Sequence, residues 1–278
     1  MNQNKNIQWH SALVSALKIE FRDFKNYLTY QEEFKLNTSP RRIDCLITKE
    51  ANAPPIHSPL ASIFLHYNII DYKSPAESMN IQNFYKVLSY AYSLPDFFHD
   101  DNILKETTIT LISNHFPKKL IRHLKDHGRT ASSENLSGTS KDLVEKIIPG
   151  LYHIHIESIH PFPMQLIVLP QLPSEEHLWL HCLRNDLDKT SPLKALRDEY
   201  RKHKDDSVYQ SVMNTIIRAN MTNKEEVDHM CEALYELFAD ELVKNKTIGI
   251  AEGKARGIAE GENKISSLIL KLIADNRN

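Results

Sequence analysis

The sequence predicts an α/β protein, a β-sheet flanked by helices and followed by an all-helical C-terminal extension. Two observations carry this. Short alternating or β-branched runs recur at 27–36, 41–48, 66–73, 107–114, 151–157 and 164–169, with amphipathic helical text between several of them. From about Ser191 onward the text is helical without interruption.

The elements justify themselves in order. Residues 8–25 read as an amphipathic helix because Leu13, Leu17, Phe21 and Phe24 recur at three- and four-residue spacing. YLTYQEEFKL at 27–36 is the first strand, with Glu32 and Glu33 expected on a solvated face, and 37–40 is the turn out of it. RRIDCLIT is the second strand. Pro54, Pro55 and Pro59 forbid regular pairing over 51–60, so a loop or irregular crossover follows and is placed to line a cleft. HYNIIDYK is the third strand, ended by Ser74-Pro75. The next helix begins near Ser78 or Asn80, a suitable cap, and buries Phe84, Val87, Leu88 and Ala91. Thr107–Asn114 is β-branched and apolar. Pro117 then opens the helix KKLIRHLKDH, where its missing N–H does least harm. Residues 130–141 are rich in Ser, Gly and Thr and read as a mobile loop. Two strands follow at 151–157 and 164–169. Ser174 opens a helix in which Trp179, Leu180 and Leu183 are core.

The stretch from Arg41 to Tyr92 carries the chemistry. Ile43, Cys45 and Ile47 alternate with Asp44, Leu46 and Thr48, so Asp44 and Cys45 face opposite sides of the sheet. Ile69, Asp71 and Lys73 share one face. Period two thus sets the Asp71 carboxylate beside the Lys73 amine, and an adjacent strand brings Asp44 alongside. Hydrolysis of a phosphodiester calls for a hard cation that neutralises developing charge and acidifies an attacking water. Mg²⁺, or Mn²⁺ in its place, takes one or two carboxylates, carbonyls and water. Asp44 and Asp71 supply the carboxylates and Tyr72 a carbonyl, while Lys73 suits water positioning or charge stabilisation.

Asp44 followed by Asp71-x-Lys73 resembles the D…(D/E)xK signature of the PD-(D/E)xK nuclease superfamily. LTYQEEF at 28–34, LNTSPRRIDCLI at 36–47, HYNIIDYKSPAES at 66–78, FYKVLSYAY at 84–92 and QLIVLPQLPSEEHLWL at 165–180 are together similar to its Rpn-type branch, the recombination-promoting nucleases and transposase-like proteins. The likeness covers most of residues 8–187. It implies a restriction-endonuclease-like mixed β-sheet, a metal-dependent endodeoxyribonuclease acting on DNA in recombination or transposition, and a supporting carboxylate on the first helix at Glu20. From the residues alone, Glu20 sits at the edge of an apolar stripe and needs a partner such as Lys18, Arg22 or Arg42. Many proteins of this type carry Glu where this chain has Asp71. Tyr85 and Lys86 fall within the FYK pattern, within reach of a phosphate or a motif carboxylate.

Composition narrows the field. The chain has 278 residues, 41% hydrophobic and 25% charged, with a net charge of −2. Near-neutral charge argues against tight nonspecific binding along a duplex, so nucleic-acid contact must rest on local patches such as Pro117-Lys118-Lys119 with Arg122. Cys45, Cys182 and Cys231 form no CxxC pair, which favours reduced thiols over a zinc ribbon or disulfide framework. With no long apolar run and a polar N-terminus, a cytoplasmic protein with no membrane span is expected. All seven glycines lie at or beyond Gly128, and no P-loop or dinucleotide fingerprint occurs. No GxSxG or Cys/His pattern supports a Ser or Cys hydrolase. His153 and His155 share a strand face with His160 nearby, but no third ligand of zinc spacing is evident.

The chain divides into a nuclease-like domain over 1–187, a helical region over 188–245 and a Gly/Ala/Glu repeat tail over 246–278. Helices are expected at 191–203, 206–220 and 223–243, the last behind a Thr222-x-x-Glu225 capping box. GIAEGKAR at 249 followed by GIAEG at 257 makes a marginal helix, each Gly costing roughly 1 kcal/mol. A homo-oligomer built through these C-terminal helices is one expectation. An inactive nuclease fold serving as a binding or assembly module is the alternative to catalysis.

Overall fold

Three strands that read as near-continuous apolar text form the centre of the molecule. In the computed structural model, which describes residues 8–35, 42–100, 102–132, 143–155, 162–187 and 191–220, these are β3 (Tyr67–Lys73), β4 (Thr107–Ser113) and β7 (Met164–Val168), paired in parallel. Every residue of β4 and β7 is buried, as expected of parallel strands covered on both faces. β1 (Leu28–Lys35) and β2 (Arg42–Lys49) extend the sheet antiparallel on one side. β6 (Leu151–Ile154) and β5 (Val144–Ile148) extend it on the other, giving seven strands in the order β1-β2-β3-β4-β7-β6-β5. The architecture is a mixed sheet flanked by helices.

One face carries Leu46, Ile69, Ile109, Leu111, Met164, Leu166 and Val168. It joins one core with Phe84, Val87, Leu88 and Ala91 of α2 (Ile81–Tyr92) and Leu120, Ile121 and Leu124 of α4 (Lys118–Ser132). The expected α2 stripe is thus the buried one, and Asn80 caps the helix, its Oδ1 accepting from Asn83 N at 2.8 Å. The other face lies under α1 (Trp9–Glu20), where the Tyr30 hydroxyl donates to Leu17 O at 3.5 Å. The proline-rich crossover is fastened to buried strand amides: Asn68 Nδ2 donates to Leu65 O (2.8 Å) and Gln165 Nε2 to Leu60 O (2.7 Å). A loop can be buried this way only because its main-chain groups find such partners.

Several elements depart from expectation. α3 (Leu94–Phe98) and β5 are additions, the latter hidden because its apolar residues do not alternate and its pairing shifts register between Lys146 and Ile148. The helix expected from Ser174 is confined to α5 (Leu178–His181). Residues 130–132 belong to α4, whereas 133–141 lie outside the described residues. Glu32 is exposed, as expected, and meets α1 through Ser11 Oγ and Lys18 Nζ, each at 3.3 Å. α6 (Ser191–Lys202) and α7 (Ser207–Asn220) do not begin a separate region at 188. The Trp179 ring lies 5.1 Å from Tyr209, and Arg22 Nη1 donates to the Tyr209 hydroxyl at 3.1 Å, tying α7 to the region of α1 and α5. The helix at 223–243, the repeat tail and any oligomer contact through them lie outside the described residues.

Gly150 turns β5 into β6 with φ +82, and a Cβ there would meet Leu172 N at 2.7 Å. Both the backbone conformation and the space demand glycine. Gly150→Ala is expected to destabilise the fold by about 2–3 kcal/mol, read as a lowered denaturation midpoint at unchanged slope.

Candidate active site

The β2–β3 ladder runs regularly from Thr48↔Tyr67 through Leu46↔Ile69 to Cys45↔Ile70. One more step in that register would oppose Asp44 and Asp71. At that step the side chain replaces the main chain: Asp44 Oδ2 accepts the Tyr72 N–H at 2.8 Å. A carboxylate is thereby set between two strands, at the carboxyl end of β3 and on the same sheet edge as the ends of β4 and β7. Open α/β sheets hold their ligands at that edge.

Period two places the next two groups. Lys73 Nζ lies 2.8 Å from Asp71 Oδ2 and donates to Tyr72 O at 3.3 Å. Asp71 Oδ2 is buried yet receives no hydrogen bond of good alignment, so its contact with Lys73 is chiefly Coulombic. The second oxygen of Asp44, Oδ1, stands 3.3 Å from Nδ1 of His10, whose ring meets Tyr72 edge-on at 5.8 Å. Asn114 Nδ2 donates to the Tyr72 hydroxyl at 3.1 Å. Glu77 accepts from Ser74 N (3.3 Å) and Ser74 Oγ (2.9 Å), fixing the turn that leaves β3.

The electrostatics of the two carboxylates diverge. Burial lifts Asp71 to about 6, the Asp44 charge adds to the lift, and Lys73 opposes it. Burial also pushes Asp44 upward, but the His10 hydrogen bond and charge, the Tyr72 N–H and Lys73 outweigh it, and Asp44 falls below its ordinary value. His10 is raised, first by its hydrogen bond to Asp44 and against its own burial. Lys86 on α2 is raised mainly by Tyr90, whose ring centroid is 5.6 Å from Nζ, and also by the charges of Asp71 and Asp44.

The sequence placed Asp44, Asp71, Tyr72 and Lys73 together, and the structure assembles them. Glu20 stands apart from them. It lies at the opposite end of α1 from His10, about 15 Å along the axis at 1.5 Å per residue. There Glu20 Oε1 is 2.7 Å from His177 Nδ1 and accepts from Ser58 Oγ at 3.5 Å, rather than pairing with Lys18, Arg22 or Arg42. The first helix reaches the carboxylates through His10 instead. Its signal was present, since His10 precedes Leu13 and Leu17 on the apolar stripe.

The donors that converge are two carboxylates and the Tyr72 carbonyl, a hard-oxygen set. Asp71 Oδ2, buried and poorly satisfied, is the atom a divalent cation would suit. Among the described residues no group of three or more His, Cys, Asp or Glu side chains is disposed to hold a metal, so water would complete any shell here. Elsewhere, His153 and His155 have ring centroids 6.2 Å apart, and His155 Nε2 stands 3.3 Å from Glu145 Oε2. Burial pushes the thiols of Cys45 and Cys182 up to about 12, which leaves them un-ionised and poor nucleophiles. No helix among the described residues is long and apolar enough to cross a membrane. Comparison with family models, curated proteins and solved structures finds no match to this chain.

Proposed function

We propose that this chain is a Mg²⁺- or Mn²⁺-dependent DNA endonuclease that hydrolyses phosphodiester bonds at the edge defined by Asp44, Asp71 and Lys73. The observation that carries the reading is the placement of Asp44, one step past the last β2–β3 pair and bonded to Tyr72 N, next to Asp71, whose Oδ2 is buried and lacks a well-aligned donor. The resemblance of the motif text to the Rpn-type nucleases points the same way, and with it a cytoplasmic role in recombination or transposition. A cation held by Asp44, Asp71 and Tyr72 O would supply Lewis acidity and an acidified water. The chain's own contribution is positional. Tyr72 N–H and His10 fix the two oxygens of Asp44, and Lys73 presents an ammonium where charge develops on the phosphate.

Supercoiled plasmid incubated with purified protein tests this. Nicking or linearisation with Mg²⁺ or Mn²⁺ and none with EDTA is expected, and plasmid left intact throughout would remove catalysis. One feature favours the alternative of a binding module: Lys73 Nζ stands 2.8 Å from Asp71 Oδ2 and His10 Nδ1 3.3 Å from Asp44 Oδ1, so the chain's own groups can balance both carboxylates. Oligonucleotide binding without cleavage under every cation would establish that reading.

The raised Asp71 gives a pH signature. Below about 6 the folded protein holds a proton on this carboxyl, and a cation must expel it. Apparent Mn²⁺ affinity is expected to fall about tenfold per pH unit below 6 and to level off above it, as read by titration calorimetry. Constant affinity across that range would exclude Asp71 as a ligand.

A further inference from the structure

We propose that the outer face of the α2–α4 layer is the DNA-docking surface, a track of cations that leads the phosphodiester backbone to the Asp44–Asp71 edge. This rests on the nuclease reading for its direction, but the surface is identified independently. α2 turns Gln82, Tyr85, Lys86 and Ser89 outward and α4 turns Lys118, Lys119, Arg122 and Lys125 outward. The two stripes meet where the Tyr85 hydroxyl and His123 Nε2 are 3.0 Å apart. α2 contains no acidic residue, and over 118–126 the sole acidic residue is Asp126. In a chain whose net charge is −2, this concentration of positive charge is local.

Its position relative to the site follows from connectivity. α4 starts just past the carboxyl end of β4, next to the end of β3, and His115 Nε2 contacts Pro75 O at 3.0 Å across the two corners. The cationic stripe therefore begins at the sheet edge where Asp71 and Lys73 sit. Lys86, exposed on α2 with Nζ 5.6 Å from the Tyr90 ring centroid, belongs to the same face. From Lys118 to Lys125 the helix advances about 10 Å, at 1.5 Å per residue. That spans about three base-pair steps of a duplex, at about 3.4 Å of axial rise each. Tyr85, 41% exposed between the stripes, offers a flat ring against a sugar or base. The partner that fits is a phosphodiester backbone, and we assign it as duplex DNA.

Binding of a short labelled duplex, measured by anisotropy in EDTA between about 50 and 200 mM salt, tests the track apart from cleavage. The double variant Lys119→Gln with Arg122→Gln should lower the slope of log affinity against log salt by about 1.8, near 0.9 per lost phosphate contact. Lys194→Gln with Lys204→Gln, exposed cations on and after α6, should leave the slope unchanged. Hydrolysis of bis(p-nitrophenyl) phosphate with Mn²⁺, too small to touch the track, should stay at the wild-type rate in the α4 double variant. An unchanged slope, an equal drop in the α6 control, or wild-type protein that does not bind the duplex would overturn the proposal. A lowered slope in protein that cleaves no diester would uphold the track and defeat the nuclease reading.

Discussion

Asp71→Asn is expected to abolish cation-dependent plasmid cleavage and to make the protein more stable at neutral pH. A cation that loses one of two carboxylates loses several kcal/mol of transition-state stabilisation, and about 4 kcal/mol corresponds to roughly a 10³-fold fall in rate. The stability change has the opposite sign. Asp71 moves from 3.8 to about 6 on folding, chiefly through burial, so the native state holds its proton more tightly than the unfolded chain does. Stability contributed at this site is present at low pH, is lost as pH rises through about 6, and stays lost above it. At about 1.4 kcal/mol per unit the native carboxylate costs roughly 3 kcal/mol at pH 8. Asparagine removes that cost but leaves Lys73 without its anion at 2.8 Å, so a net gain of about 1–2 kcal/mol is expected. Lys73→Ala should also end cleavage, yet it should destabilise above pH 6 because the Asp71 carboxylate is then buried without its counter-charge. Melting curves at pH 4 and pH 8 separate the cases: the Asp71→Asn gain should vanish at pH 4. Cleavage surviving either substitution would remove the mechanism.

How far the sequence reached depended on the range of the interaction. Asp71 and Lys73 are two residues apart on one strand, so the pleat fixes their neighbourhood whatever surrounds them, and they are found in contact. Asp44 required only that two antiparallel strands keep register across the crossover, which the apolar pattern of β2 and β3 enforces. The helix that meets them was harder. Period 3.6 identified α1 and its apolar stripe, but whether its first or last turn reaches the carboxylates depends on how it crosses the sheet. That crossing is set by distant packing, including Arg22 with Tyr209 and Glu20 with His177. The same long-range contacts explain why a boundary drawn at 187 from helical text alone runs through packed structure. β5 lacked a periodic signal of any kind, its place being secured by pairing with β6.

Removing His177 is expected to cost the fold more than the loss of Gly150 or Lys73, while leaving the proposed cleavage rate of the folded protein unchanged. His177 is 2% exposed, and its Nδ1 lies 2.7 Å from Glu20 Oε1 at the end of α1 remote from Asp44. His177→Ala leaves that carboxylate with Ser58 Oγ at 3.5 Å as its remaining described hydrogen bond and opens a cavity between α1 and the start of α5. Removing the close partner of a partly buried carboxylate and opening a cavity together cost about 3–5 kcal/mol. Glu20→Gln keeps the shape and an acceptor and gives up the charge, so about 1–2 kcal/mol is expected. The pair also decides between two roles for Glu20. If it only joins α1 to α5, the cleavage rate per folded molecule of Glu20→Gln, measured well below its melting temperature, stays within about twofold of wild type, a difference of under 0.5 kcal/mol. A rate that falls a hundredfold with little loss of stability would return Glu20 to the chemistry. The roughly 15 Å between the two ends of α1 would then have to close when DNA and cation bind.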